Sequence, residues 1–225
     1  MVIAEATCKK CEQIINSQIE TPVAALTASF RHRDMPARSK NKKRRRLSYD
    51  LRIQHPEGPE TQHSLPASQA PRVLCSIAFP PPYLLLPHQP RKSPEMWTWA
   101  NRTDLNDLKT NFGGVSHTVG RYDVDRYARQ IAKIAHSYAA AICPDLPTFE
   151  QLLPAFILGG SGDYRDLVGG SLKARAEQPF LYTIDWGQMT ASDYHYLVIT
   201  FRPFAFTNGP LYIVAVARKP VSETA

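Results

Sequence analysis

The chain has 225 residues, of which 43% are hydrophobic and 21% are charged, and its formal net charge at pH 7 is +7. This length supports one well-packed core with a small appended module. No apolar stretch approaches the ~20 residues that cross a bilayer, and the N-terminus lacks the basic-then-apolar plan of a secretory signal. The composition therefore predicts a cytoplasmic protein with no membrane partner.

The first motif along the chain is a pair of cysteines, Cys8 and Cys11, separated by two lysines. Two thiolates three positions apart at a helix start can bind one side of a tetrahedral zinc ion. Apolar residues recur at helical spacing from Ile14 to Val23, and Glu12 and Glu20 lie on the polar flank. The pattern predicts a short amphipathic helix that begins with a metal-binding pair.

The segment from Ala4 to Ile15, with Ile19-Glu20 and the basic stretch from Phe30 to Arg46, resembles the back half of bacterial and phage HNH endonuclease domains. The resemblance implies the second CxxC of a ββα-metal unit, in which Cys8 and Cys11 bind structural zinc. It also implies a catalytic divalent cation such as Mg²⁺, for which Glu20 is a candidate ligand. Glu12 stands where the family often has asparagine.

The front half of such a domain, with its first CxxC and its general-base histidine, does not precede Cys8 in this sequence. In an HNH site that histidine deprotonates a water molecule while the cation neutralises charge on the phosphate. We therefore expect an N-terminally truncated, HNH-like protein that is inactive as this chain, with an incomplete zinc site. The residues alone also fit a reduced CxxC pair without metal, and solvated carboxylates at Glu12 and Glu20.

Basic residues are concentrated between Arg31 and Arg46. Nine of the 27 lysines and arginines lie there with one acid, Asp34, so the rest of the chain is nearly neutral. Such a run favours sequence-independent contact with the phosphates of DNA or another nucleic acid. A solvated arm and a nuclear localisation signal are the alternatives. The nine residues are Arg31, Arg33, Arg38, Lys40, Lys42, Lys43, Arg44, Arg45 and Arg46.

The middle of the chain is rich in Pro, Ser and Gln. Apolar runs at Val73–Phe79 and Tyr83–Leu86 predict a strand and an edge strand, but the three prolines between them argue against a regular hairpin. We therefore divide the chain into an HNH-like basic segment over residues 1–53, a Pro-rich linker over residues 54–94 and an α+β domain over residues 95–220.

The C-terminal domain has the clearest patterns. Asp123 is a predicted N-cap for a helix over Val124–Ile142 with one apolar face. A capping box at Thr148 predicts a second helix through Leu158, interrupted at Pro154. Three β-rich runs follow, at Phe180–Trp186, Tyr194–Phe201 and Leu211–Ala217. The predicted fold class is thus α+β, with a helical pair packed on a small antiparallel sheet after the HNH remnant and linker.

We interpret the glycine runs and one histidine of this domain as structural residues and not as parts of a phosphate-binding or catalytic site. Gly159–Gly162 and Gly169-Gly170 lack the residues of a P-loop or a dinucleotide fingerprint, so they predict turns. His136 falls on the polar flank of its helix near Arg129 and Lys133, which predicts a surface or packing residue.

Two functions remain open: an HNH-type endonuclease acting on phosphodiesters, and a non-catalytic nucleic-acid-binding or interaction protein.

Overall fold

The computed structural model describes residues 8–21, 23, 33, 48–53, 58–90, 92–113, 123–171 and 177–221. Helices and antiparallel strands are mixed along them, which confirms the α+β class. None of the helices in these ranges is long and apolar enough to cross a membrane.

Two compact units share the chain. Unit 1 comprises Met1–Val23, Ser76–Trp97 and Asp123–Ala225, and unit 2 comprises Ala24–Cys75 and Thr98–Tyr122. This division differs from the predicted boundaries after residues 53 and 94. The reason is that the π-helical turn after the N-terminal helix packs on a helix of the C-terminal half, so the two ends of the chain belong to one unit.

The elements follow one another in chain order. The first part contains α1 (Lys9–Ile15), a π-helical turn (Asn16–Glu20), β1 (Ser48–Ile53), β2 (Thr61–Pro66), β3 (Val73–Ala78), β4 (Glu95–Ala100) and α2 (Arg102–Phe112). The second part contains α3 (Val124–Ile142), β5 (Glu150–Gln151), α4 (Leu153–Ile157), α5 (Tyr164–Leu167), β6 (Val168–Ser171), β7 (Tyr182–Ala191), β8 (Tyr194–Pro203) and β9 (Leu211–Pro220).

The main sheet of unit 1 has the strand order β5-β9-β8-β7, and β6 also pairs with β9. Antiparallel pairing of β7 with β8 and of β8 with β9 confirms the predicted meander, and each strand is longer than its apolar run. The short strands β5 and β6 were not predicted, because two to four residues carry too little alternation to be recognised.

Helix α3 matches its predicted bounds at both ends. The Asp123 carboxylate accepts a hydrogen bond from the backbone N–H of Arg126 at 3.0 Å, as an N-cap should. The buried face is centred on small residues, including Ala128, Ala132 and Ala135, and α3 packs on β9 through it. Arg129, predicted on a polar flank, is also buried and donates two hydrogen bonds to the Ile157 carbonyl, at 2.8 and 2.9 Å.

The predicted second helix differs from the observed one. The Thr148 hydroxyl donates to the Asp145 carbonyl within a 3-10 turn, and helix α4 begins only at Leu153. Pro154 therefore occupies the first turn of α4, where a missing N–H costs nothing, and it does not interrupt a longer helix.

Two prolines, Pro80 and Pro82, lie against β6. A Cβ atom added to Gly169 would stand 2.2 Å from the nitrogen of Pro82, and Gly170 N donates to the Pro80 carbonyl at 3.1 Å. The turn prediction for Gly169-Gly170 is thus wrong, because glycine is required here for close approach of two backbones inside a strand. The predicted edge strand at Tyr83–Leu86 is also wrong, since Leu85 N and Leu86 N both donate to the Pro82 carbonyl and form a turn.

A cluster of hydroxyls joins three elements of unit 1. Ser76 of β3 lies 2.6 Å from the Tyr127 hydroxyl of α3 and 2.8 Å from the Tyr212 hydroxyl of β9. Tyr212 also donates to the Ile77 carbonyl at 2.9 Å, and burial raises its pKa well above the usual value. Each hydroxyl is hydrogen-bonded, so this buried cluster stabilises the fold.

In unit 2, the antiparallel hairpin β1–β2 packs with helix α2. Leu51 and Ile53 of the hairpin and Leu108 of the helix form its buried cluster. Asn101 caps α2, with its side-chain oxygen accepting from Asp104 N at 3.2 Å, and Gly113 ends the helix in the left-handed conformation at φ 71°.

Candidate functional site

The cysteine pair lies at the start of α1, as the sequence predicts. Cys8 is the N-cap residue, and its sulfur accepts a hydrogen bond from the backbone N–H of Cys11 at 3.2 Å. The two Sγ atoms are 2.9 Å apart and share a hydrogen bond. Cys8 is exposed and Cys11 is half-buried, so solvent reaches the pair.

The shared hydrogen bond separates the acidities of the two thiols. The bond with the Cys11 thiol, followed by the bond from the Cys11 backbone, lowers the pKa of Cys8. The same side-chain bond raises the pKa of Cys11. Cys8 is therefore the sulfur of the pair that carries negative charge more readily.

These residues fit zinc only in part. Zinc in a structural site takes four ligands, and two thiolates that share a tetrahedral ion stand about 3.8 Å apart. Among the described residues, no group of three or more His, Cys, Asp or Glu side chains is placed to hold a metal ion. The other two cysteines lie elsewhere in the chain: Cys75 is buried in β3 and Cys143 follows α3. The described chain thus offers two ligands of the four.

The two predicted carboxylates do not meet. Glu12 is exposed on α1, whereas Glu20 forms an ion pair with Lys133 of α3. Eight helical positions separate them by about 12 Å at the α-helical rise, which is too far for both to ligate one cation. Lys133 contacts one of the two carboxylate oxygens of Glu20. The amphipathic helix itself is confirmed, since Ile15 and Ile19 are buried.

Of the nine basic residues predicted to contact nucleic acid, the structure describes Arg33. Its guanidinium donates to the Ala70 carbonyl at 3.0 Å and lies 3.3 Å from the Asp104 carboxylate. The side chain remains 28% exposed. The other eight lie outside the described residues: Arg31, Arg38, Lys40, Lys42, Lys43, Arg44, Arg45 and Arg46.

Asp104 forms ion pairs with both Arg33 and Arg72 in unit 2. Its two oxygens accept from Nε and Nη2 of Arg72, at 2.8 and 2.9 Å, and Oδ2 also accepts from the Arg72 backbone N–H. Burial alone would raise the pKa of Asp104, but the hydrogen bonds from Arg72 and the charges of Arg33 and Arg72 outweigh it and lower that pKa. Two guanidinium groups on one carboxylate leave a net positive charge.

Arg33 and Asp104 lie in the wall of an open cavity of about 310 Å³. The rest of the lining is mixed: polar side chains such as Gln69, Asp107 and Asn111 stand beside the apolar Leu65, Leu108 and Phe112. The sequence reasoning missed Arg72 and Asp104, because 32 positions separate them and no motif connects them. The sequence feature that could have drawn attention to Asp104 is the helix N-cap at Asn101, three residues before it.

His136 has the packing role that the sequence predicts. Its Nδ1 is buried and, in the part of the chain that the structure describes, has no hydrogen-bond partner. Burial lowers the pKa of His136.

No protein-family model, curated protein or solved structure matches this chain.

Proposed function

We propose that this chain is a non-catalytic nucleic-acid-binding protein with an HNH-like N-terminal segment. The observation that carries the proposal is the concentration of nine of 27 basic residues in residues 31–46, within a chain that is otherwise nearly neutral. Duplex DNA presents one phosphate charge per ~1.7 Å of its axis, so a compact basic run can neutralise several phosphates at once.

The surroundings of Arg33 support this assignment. The contacts of Arg33 with Asp104 and Ala70 anchor the beginning of the basic run to unit 2. Arg72 shares the Asp104 carboxylate, so the charge of Arg33 is not cancelled by a carboxylate of its own. Nucleic acid bound by the run would therefore lie beside this part of unit 2.

We assign the chain no catalytic role, because the candidate cation ligands Glu12 and Glu20 do not lie together. Glu20 is paired with Lys133, and Cys8 and Cys11 provide two thiols where structural zinc needs four ligands. We expect zinc to be held weakly for the same reason. An HNH endonuclease is the second candidate, favoured by the CxxC at the N-cap of α1, as the resemblance implies.

Binding to a labelled DNA duplex, measured by fluorescence anisotropy over a range of salt concentrations, tests the proposal. We expect log affinity to fall linearly with log salt, with a slope of about −0.9 for each neutralised phosphate and little dependence on sequence. Replacing Arg44, Arg45 and Arg46 by Gln should reduce the magnitude of that slope by up to about 2.7.

A matched variant separates the position of the charges from their number. Lys92, Arg102 and Lys109 are exposed residues outside the run, and their replacement by Gln removes the same charge. We expect this variant to keep most of the salt dependence. Equal effects of the two variants would mean that net charge, and not the run, attracts DNA, and unchanged binding in both would contradict the proposal.

A further inference from the structure

The cysteine pair has a geometry that suits a covalent reaction. The sulfur atoms of Cys8 and Cys11 are 2.9 Å apart, and a disulfide bond is about 2.05 Å long. The two sulfurs therefore need to approach by less than about 1 Å to form the bond. Rotation of exposed side chains at the first turn of a helix supplies such a shift without moving the core.

The surroundings of the pair favour this reaction over metal binding. The observed separation differs by about 0.9 Å from both a disulfide bond and a zinc-chelating pair, so the remaining ligands decide between the two. Among the described residues, no third ligand completes a metal site. Solvent reaches both thiols, and an accessible thiol is the kind that reacts with oxidants.

We propose that Cys8 and Cys11 form a reversible intramolecular disulfide by thiol–disulfide exchange with a low-molecular-weight disulfide, of which glutathione disulfide is the probe. The site is distinct from the basic run and does not depend on nucleic-acid binding. A disulfide sulfur is not a zinc ligand, so oxidation and metal binding at this pair exclude each other.

The exchange takes place in two steps. The Cys8 sulfur attacks one sulfur of the probe, which forms a mixed disulfide and releases one glutathione, and the Cys8 proton passes to that glutathione. The Cys11 sulfur then attacks the Cys8 sulfur, breaks the mixed disulfide and releases the second glutathione with the Cys11 proton. Two protein thiols are oxidised and one small disulfide is reduced.

The sequence between the cysteines makes the product easy to identify. Lys9 and Lys10 lie between them, so trypsin cleaves the chain there and separates Cys8 from Cys11 unless a disulfide joins the two peptides. After treatment of the reduced, metal-free 225-residue chain with glutathione disulfide, we expect a mass loss of two hydrogen atoms. We also expect two of the four thiols to disappear and one cross-linked tryptic pair to form.

Single variants provide the controls. In Cys8→Ser and in Cys11→Ser, the remaining cysteine has no neighbour to displace glutathione, so we expect a stable mixed disulfide in place of the cross-link. Cys143→Ser should form the Cys8–Cys11 link as the unchanged chain does. Retained glutathione adducts on the unchanged chain, without a cross-linked pair, would overturn the proposal.

Zinc provides an independent readout. The chain purified from zinc-supplemented medium should lose its metal to a mild chelator and then form the disulfide at the same rate as metal-free protein. One tightly held zinc ion per chain that protects both thiols from glutathione disulfide would also overturn the proposal, because the pair would then be a metal site.

Discussion

At the scale of single residues, Arg33 shows that a basic residue inside a charged run can have a structural partner. Its guanidinium contacts a carboxylate whose side chain is only 4% exposed. A buried carboxylate is costly unless it is fully hydrogen-bonded, and Arg72 and Arg33 together satisfy Asp104. The cluster should therefore have a measurable effect on the stability of unit 2.

We expect Asp104→Asn to lower the free energy of unfolding by about 3–5 kcal/mol at neutral pH, because it leaves two guanidinium groups without their carboxylate. Urea unfolding followed by circular dichroism measures the change. Asp107→Asn is the matched control, since Asp107 lies on the same helix and is exposed. An equally small change in both variants would contradict a stabilising role for the cluster.

The effect of Asp104 should also depend on pH. Because the pKa of Asp104 is lower in the folded chain, the stability that its charge contributes is present above the unfolded pKa of about 3.9. It is lost as the pH falls through the lower folded-state pKa. We therefore expect the difference between the chain and Asp104→Asn to be largest above about pH 5 and to shrink in acid. A difference that stays constant as the pH falls well below the unfolded pKa would contradict the assignment.

At the scale of elements, the length of a periodic pattern decided how well it was predicted. Helix α3 and the three long strands extend over 19, 10, 10 and 10 residues, and their periods identify them. Helix α4 has five residues and begins next to Pro154, so no period could reveal it. Strand β6 depends on contacts with Pro80 and Pro82, which are distant in sequence.

We expect Gly169→Ala to destabilise unit 1 by about 3 kcal/mol or more, because its Cβ would stand 2.2 Å from Pro82, whose ring cannot rotate away. Gly187→Ala is the matched control, since it lies within β7 and its Cβ would meet nothing within 4 Å. That control should be neutral or stabilising by about 0.5–1 kcal/mol. Thermal unfolding of both variants measures the difference, and equal stabilities would contradict the close packing at β6.

At the scale of the whole molecule, the positive net charge and the candidate catalytic residues come from different stretches of the sequence. The basic run accounts for the positive net charge, whereas Glu12 lies on α1, Glu20 lies in the π-helical turn that follows it, and the two carboxylates do not meet. We expect this 225-residue chain not to nick plasmid DNA in the presence of Mg²⁺, Mn²⁺ or Ni²⁺. Gel electrophoresis of supercoiled plasmid measures nicking.

Two variants would identify the source of any cleavage. Glu20→Ala and Lys133→Ala break the same ion pair, but only the first removes the carboxylate. Nicking that is lost in Glu20→Ala and retained in Lys133→Ala would contradict the expectation and would indicate a metal bound by Glu20. Absence of nicking in the unchanged chain and in both variants agrees with a binding role.

The sequence by itself determined the α+β class, the bounds of α3 with its Asp123 cap, the antiparallel meander and the CxxC at the start of α1. These features depend on neighbouring residues, since caps and periodic burial are local properties. Only the tertiary structure decided that Glu20 pairs with Lys133, that Arg72 and Arg33 share Asp104, and that Gly169 approaches Pro82. Each of these contacts joins residues that are far apart in the chain. Such contacts depend on how the elements pack, and a local sequence pattern carries no information about that packing.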